Sequence, residues 1–174
     1  MDVYSALRTV RAVRQYTEQR IDEQIITQIL EAGRWAGSSK NTQPWQFIVV
    51  KKRETLNQLA GCGRFSSHLR EAAVAIVIVT ETTARAEFDC GRVVENMMLA
   101  AWSAGVGSCI ASMHQEAEAK AILGIPNALK LQQVIAFGYP RPNVTPTIEG
   151  KPLQDVLVQM GRRTLDEIVH LEKW

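Results

Sequence analysis

Between Ile25 and Val50 the hydrophobic pattern changes its period. Ile25, Ile26, Ile29, Leu30 and Gly33 recur at helical spacing behind Asp22, a good helix cap. Phe47-Ile48-Val49-Val50 is then a continuous apolar run, the mark of a buried strand. A helix that hands over to a buried strand commits the chain to a fold mixing both. The connection reads WAGSSKNTQPW, with Ser38, Ser39, Lys40, Asn41 and Gln43 between Gly37 and Pro44. Ser, Asn and Gln hydrogen-bond without fixed charge, which suits the edge of a polar planar ring. A solvated connection has the same composition.

Asp2 caps a first helix, with Val3, Leu7 and Val10 on one face. It runs into Arg8-Thr-Val-Arg11-Ala-Val-Arg14, three arginines within seven residues. Guanidinium forks match phosphate, although such a run also reads as a solvated basic turn. Arg53 to Ala60 predicts a short helix stopped by Gly61-Cys62-Gly63. His68 reads as a surface or capping residue before a second buried strand, Ala72 to Val79. Phe88 to Gly105 is the longest helix, with Val94, Met97, Met98, Ala101 and Trp102 apolar. Gly105 ends it in a left-handed conformation, and Gly107 allows close backbone approach. The single Gly-x-Gly there is no dinucleotide fingerprint. A helix from Glu116 to Leu123 stops at Gly124, and Leu131 to Gly138 is another buried strand. The prolines between Arg141 and Pro152 imply an extended connection, and Leu153 to Met160 a short helix or strand.

The 174 residues, 46% hydrophobic and 22% charged, suit one globular domain spanning 1–174. A net charge of +2, without a long Lys/Arg run, excludes a nucleic-acid stripe. Cys62, Cys90 and Cys109 lack metal-ligand spacing and are odd in number. They read as buried apolar residues in a reducing cytoplasm, with no metal site. Met1-Asp2-Val3-Tyr4 does not read as a signal peptide, and no apolar run is long enough to span a bilayer.

Several blocks together resemble the nitroreductase family of flavoproteins. In the helix-loop-strand segment, Ser38, Ser39, Asn41, Gln43, Pro44 and Trp45 match the family, and Gly37 replaces its usual Pro. Val10 to Tyr16 is similar to the family's Arg-Arg-Ser-Ile-Arg-x-Phe. Arg11, Val13 and Arg14 match there; Val10 replaces the first Arg and Ala12 the Ser. Asp89 to Ala101 resembles the central helix, and Gly105 to Cys109 the Gly-Leu-Gly-Ser/Thr-Cys segment. Gly138-Tyr139-Pro140 and the run from Arg162-Arg163 to His170 resemble the closing blocks, with Thr164 for Pro.

The resemblance implies an α+β, nitroreductase-like fold. Its central sheet would be mainly antiparallel or mixed and flanked by helices, with the C-terminal segment exchanged with a dimer partner. It implies a homodimer with FMN at the interface, NADH or NADPH as co-substrate, and a small-molecule acceptor. Arg11, Ala12, Val13 and Arg14 would line the flavin, with Arg11 and Arg162 or Arg163 on its phosphate, Arg162 preferred. His68 would lie by the pyrimidine edge, and backbone N–H groups of Ala111 and Ser112 by N5 and O4. Ser38, Ser39, Asn41 and Gln43 would come from the other subunit. No catalytic side chain is implied, since the chemistry belongs to flavin N5. Arg14 would tune it, because two-electron reduction puts negative charge near N1 and O2. At about 4 Å and an effective dielectric near 20 such a pair is worth roughly 4 kcal/mol, or ~90 mV.

The implied reaction is ping-pong hydride transfer from NAD(P)H to nitroaromatics, quinones or similar electron-poor acceptors, without nucleic acid or membrane. Two alternatives stand beside it. One is specialised flavin chemistry on the same fold, such as dehalogenation, ring reduction or flavin fragmentation. The other is a degenerate, non-catalytic module, which the losses at Val10 and Ala12 would allow. The short chain, without an inserted lid, favours the plain reductase.

Overall fold

The computed structural model describes residues 1–144, 151 and 153–174. Its sheet comprises β1 (Trp45–Val50), β2 (Val74–Glu81), β3 (Gly107–Ala111) and β4 (Leu129–Gly138). The order is β1-β2-β4-β3, and each neighbouring pair is antiparallel. Around it lie α1 (Val3–Thr9), α2 (Glu23–Arg34), α3 (Arg53–Gly61), α4 (Ala84–Ser103), α5 (Glu116–Leu123) and α6 (Leu153–Gln159).

The continuous apolar character of β2 follows from cover on both faces. Val74, Ile76 and Ile78 share one core with Ile26 and Ile29 of α2 and Val93 and Met97 of α4. Ala75, Val77 and Val79 share the other with Leu56 and Leu59 of α3 and Ala119 of α5. Every residue from Val74 to Thr80 is buried. Burial of each large aliphatic side chain contributes about 1.5–3 kcal/mol. The three cysteines are free and buried, as small apolar residues.

Several boundaries differ from the sequence reading, each for a local reason. Helix α4 begins at Ala84 rather than Phe88, because Thr83 caps it by accepting the Ala86 N–H at 3.1 Å. Strand β2 runs on to Glu81 instead of ending at Val79, since Thr80 and Glu81 pair with Lys130 and Leu129. The same pairing starts β4 at Leu129 rather than Leu131. The segment after Gly105 forms β3, paired with β4. Gly105 (φ 77°) closes α4 as expected, with Val106 N–H on Ala101 O and Gly105 N–H on Trp102 O.

Helix α1 carries the expected cap, Asp2 accepting the Ser5 N–H at 3.0 Å. Its expected apolar face, however, lies open on the single chain. Val3 is 73% and Leu7 49% exposed, and Ala6 is the buried residue instead. The segment from Leu153 is a helix, whereas most of the connection from Arg141 to Pro152 lies outside the described residues. No helix among the described residues is long and apolar enough to cross a membrane.

Candidate functional site

The segment after α1 is pinned to the sheet edge. Val13 is buried, its N–H donates to Ser108 O at 2.9 Å, and Ala12 bridges Ser108. The approach requires glycine at 107, where a Cβ would lie 2.6 Å from a Val13 methyl. Arg11 is thereby held half-buried beside the end of α1. On the other side, the chain turns after α6 at Gly161 (φ 60°), with Arg162 N–H on Leu157 O at 2.9 Å. This presents Arg162 and Arg163 to the same place. One cleft of about 340 Å³ is lined by Arg8, Arg11, Arg162 and Arg163, with apolar walls that include Tyr4, Leu7 and Val156.

Among the described residues, no carboxylate lines this cleft and none of the four arginines joins an ion pair. Burial, and then the charge of Arg162, push the Arg11 guanidinium below the usual arginine range. One Arg11 N–H group donates to Val10 O at 2.6 Å, but its Nε is buried without a partner among the described residues. Clustered like charges and an orphaned donor together call for an anion.

Arg14 is exposed, and its charge reaches Tyr16, His68 and Cys109. His68 is not at the surface as its polar context suggested. It lies in a 3-10 turn, Ser67–Arg70, and is 5% exposed. Its Nε2 is buried without a partner. Burial pushes its pKa down from 6.5; the backbone at Cys109 and Phe65 opposes this, and Arg14 adds to it. At the end of β3, Ala111 is buried and Ser112 exposed.

The polar loop departs furthest from ordinary backbone. Lys40 (φ 52°), Asn41 (φ 57°) and Gln43 (φ 47°) are all left-handed, though none is glycine. Such a residue costs on the order of 1–3 kcal/mol and persists only where its surroundings fix it. Ser38 Oγ accepts the Gln43 N–H at 2.9 Å, and Gln43 Nε2 donates to Asn41 O at 3.3 Å. Ser39 N–H donates to the buried carboxylate of Asp89 at 3.0 Å. The Arg92 guanidinium lies against Gly37, where an added Cβ would have to displace the tip of that half-exposed side chain.

On one chain these groups lie at two separate places. The arginine cleft contains no residue of the polar loop, and two clefts beside that loop contain none of those four arginines. Asp89 and Arg92 were not among the expected site residues, and Arg8 entered only as one of three arginines that match phosphate. For Asp89 the signal was an acid on an apolar stripe with Ala86, Cys90 and Val93.

The description "Nitroreductase family" belongs to the family model that matches residues 7–62 and 60–139. An Archaeoglobus fulgidus protein, provisionally assigned as an NADH dehydrogenase/NAD(P)H nitroreductase, is 33% identical over 95% of each chain. A Parabacteroides distasonis protein with the same provisional assignment has a solved structure of like fold. It gives a TM-score of 0.85 at 24% identity, over 99% of this chain and 98% of that one. A provisionally assigned nitroreductase from Desulfovibrio desulfuricans, solved in complex with FMN, gives 0.82 at 27% identity, over 100% and 98%. With a family match from residue 7 to residue 139 and an archaeal relative alike over almost its full length, this chain belongs to the nitroreductase family.

Proposed function

We propose that the chain is an FMN-dependent NAD(P)H oxidoreductase that works as a homodimer. The cleft of Arg8, Arg11, Arg162 and Arg163 carries this reading. A flavin phosphate offers negative charge and several acceptor oxygens, and four guanidinia without a carboxylate match it. The buried Arg11 Nε supplies a donor that lacks an acceptor among the described residues. Arg8 joins the cluster and adds a cation where Val10 and Ala12 supply none, which supports the binding reading over a degenerate module.

The separation of the arginine cleft from the polar loop supports a shared site. Ser38, Ser39, Asn41 and Gln43 of one subunit meet the flavin ring held by the arginines of the other. Residues 166–174, beyond the arginine cleft, are all exposed on one chain, and they reach onto the second copy. When bound, FMN accepts a hydride equivalent from NADH or NADPH and passes two electrons to an acceptor. The protein's part is binding, orientation and charge. Arg11, Arg162 and Arg163 hold the phosphate. Arg14 stabilises negative charge at the pyrimidine end, beside His68. Ala111 and Ser112 offer backbone groups to the reactive edge. Lacking a dinucleotide fingerprint, the site holds nicotinamide mainly by stacking. The same shallow space then admits nitroaromatics, quinones or similar acceptors in a ping-pong cycle.

The test is the absorbance spectrum of the purified protein, followed by anaerobic titration with each nicotinamide. A yellow protein bleached by NADH or NADPH and recoloured by a nitroaromatic or quinone fits the proposal. A colourless protein that takes up no FMN on reconstitution overturns it.

A further inference from the structure

Three left-handed, non-glycine residues within four positions need an external hold. Four hydrogen bonds of the loop are internal: Asn41 N–H to Ser38 O, Thr42 N–H to Ser39 O, Gln43 N–H to Ser38 Oγ and Gln43 Nε2 to Asn41 O. Internal bonds shape a loop but do not place it on the molecule. Among the described residues, the hydrogen bond that ties the Ser38–Gln43 segment to another element is Ser39 N–H to Asp89 Oδ2, at 3.0 Å.

Asp89 is 2% exposed on the inward stripe of α4. A buried carboxylate is costly unless it is hydrogen-bonded or paired, so an apolar residue would suit packing alone better there. Its second partner is Arg92, 3.8 Å from Oδ1 and half exposed. The Arg92 guanidinium in turn lies against Gly37, at the entry to the loop. Two residues one helical turn apart thus touch the loop at successive points. They stand on a rigid support, for Val93, Met97 and Ala101 of α4 are fully buried.

We propose that Asp89 is a positioning residue, its buried carboxylate holding the Ser39 N–H so that Lys40, Asn41 and Gln43 stay in their left-handed conformation against α4. Its consequence for flavin binding rests on the function proposed above. The tie between Asp89 and the loop does not. Asp89→Ala removes the acceptor. Asp89→Asn keeps an acceptor oxygen for the Ser39 N–H while removing the charge, so it is the rescuing variant.

The first readout is amide hydrogen exchange in the protein without added FMN. Asp89→Ala speeds exchange at residues 39–43 by about tenfold or more, while β2 and β4 are unchanged, and Asp89→Asn restores protection. The second is FMN titration of the same proteins. Affinity falls by about 10- to 100-fold in Asp89→Ala and recovers in Asp89→Asn, as does the visible circular dichroism of bound flavin. If Asp89→Ala does not fold, Ser39→Pro deletes the donor instead. Ser38 already has the extended backbone (φ −134°, ψ 158°) that a following proline accepts. The exchange readout then applies to residues 40–43. Unchanged loop exchange, or a rise spread evenly over loop and sheet, overturns the proposal. If wild-type protein takes up no FMN, the flavin reading fails, and exchange still decides the role of Asp89.

Discussion

Charge at single residues separates binding from tuning. Arg162 shares a cleft with Arg11 that no acid among the described residues lines, so removing it subtracts a charge-assisted bond from an anion. Such bonds contribute about 1.5–3 kcal/mol. Arg162→Ala is therefore expected to weaken FMN binding about 10- to 100-fold, by fluorescence titration, and more at low salt than at high. Arg14 is exposed and unpaired among the described residues, so its effect falls on potential rather than grip. A charge pair at about 4 Å is worth about 1 kcal/mol in water and about 4 kcal/mol at a dielectric near 20. Arg14→Ala should lower the two-electron midpoint of bound flavin by roughly 20–90 mV, nearer the smaller figure given the exposure. An unchanged midpoint removes Arg14 from its tuning role. His68 supplies a test that needs no cofactor. Burial holds its folded pKa below 6.5, so from 6.5 down to that value the unfolded chain binds the extra proton. Stability therefore rises with pH through this window and is lost as pH falls below 6.5. Between about pH 5 and about pH 8 the wild-type urea midpoint should rise, and His68→Gln should flatten that rise.

At the scale of elements, legibility followed how local each signal is. The caps at Asp2 and Asp22 and the left-handed stops at Gly105 and Gly124 are written in one or two residues, and the structure has them there. Strand ends are set by partners far along the chain. Thr80 and Glu81 join β2 through Lys130 and Leu129, and no window around residue 80 contains that information. His68 was misread for the same reason. Its polar neighbours suggested solvent, whereas it is covered by segments near Cys109, about forty residues away by sequence. The arginine cleft was legible only through family resemblance, since residues 11 and 162 share no local pattern. Gly107 shows how one element can carry two functions. Added bulk there meets Val13 at 2.6–3.0 Å and pushes the Arg11 segment off β3. Gly107→Ala should cost about 1–3 kcal/mol in urea unfolding and weaken FMN binding with it. A neutral result would mean the Val13–Ser108 contact does not place the cleft.

For the molecule as a whole, the exposed apolar side chains are the central observation. Tyr4 is 65%, Phe88 72%, Leu165 72%, Leu171 85% and Trp174 102% exposed on one chain. Large apolar residues on α1, at the start of α4 and near the C-terminus are the surfaces that the homodimer proposed above would cover. Gly91 distinguishes the two states of α4. On the single chain nothing lies within 4 Å of a Cβ placed there. In a monomer, Gly91→Ala inside a helix gains about 0.5–1 kcal/mol from propensity alone. In a dimer joined along α4, the same methyl separates two helices and the sign reverses. Sedimentation equilibrium should give twice the 19.4 kDa of one chain, and Gly91→Ala should lower both the thermal midpoint and the association constant. A raised midpoint with unchanged association would move the seam away from α4. The polar loop is tied to α4 through Asp89, so the position of any flavin pocket shared between subunits would move with that seam.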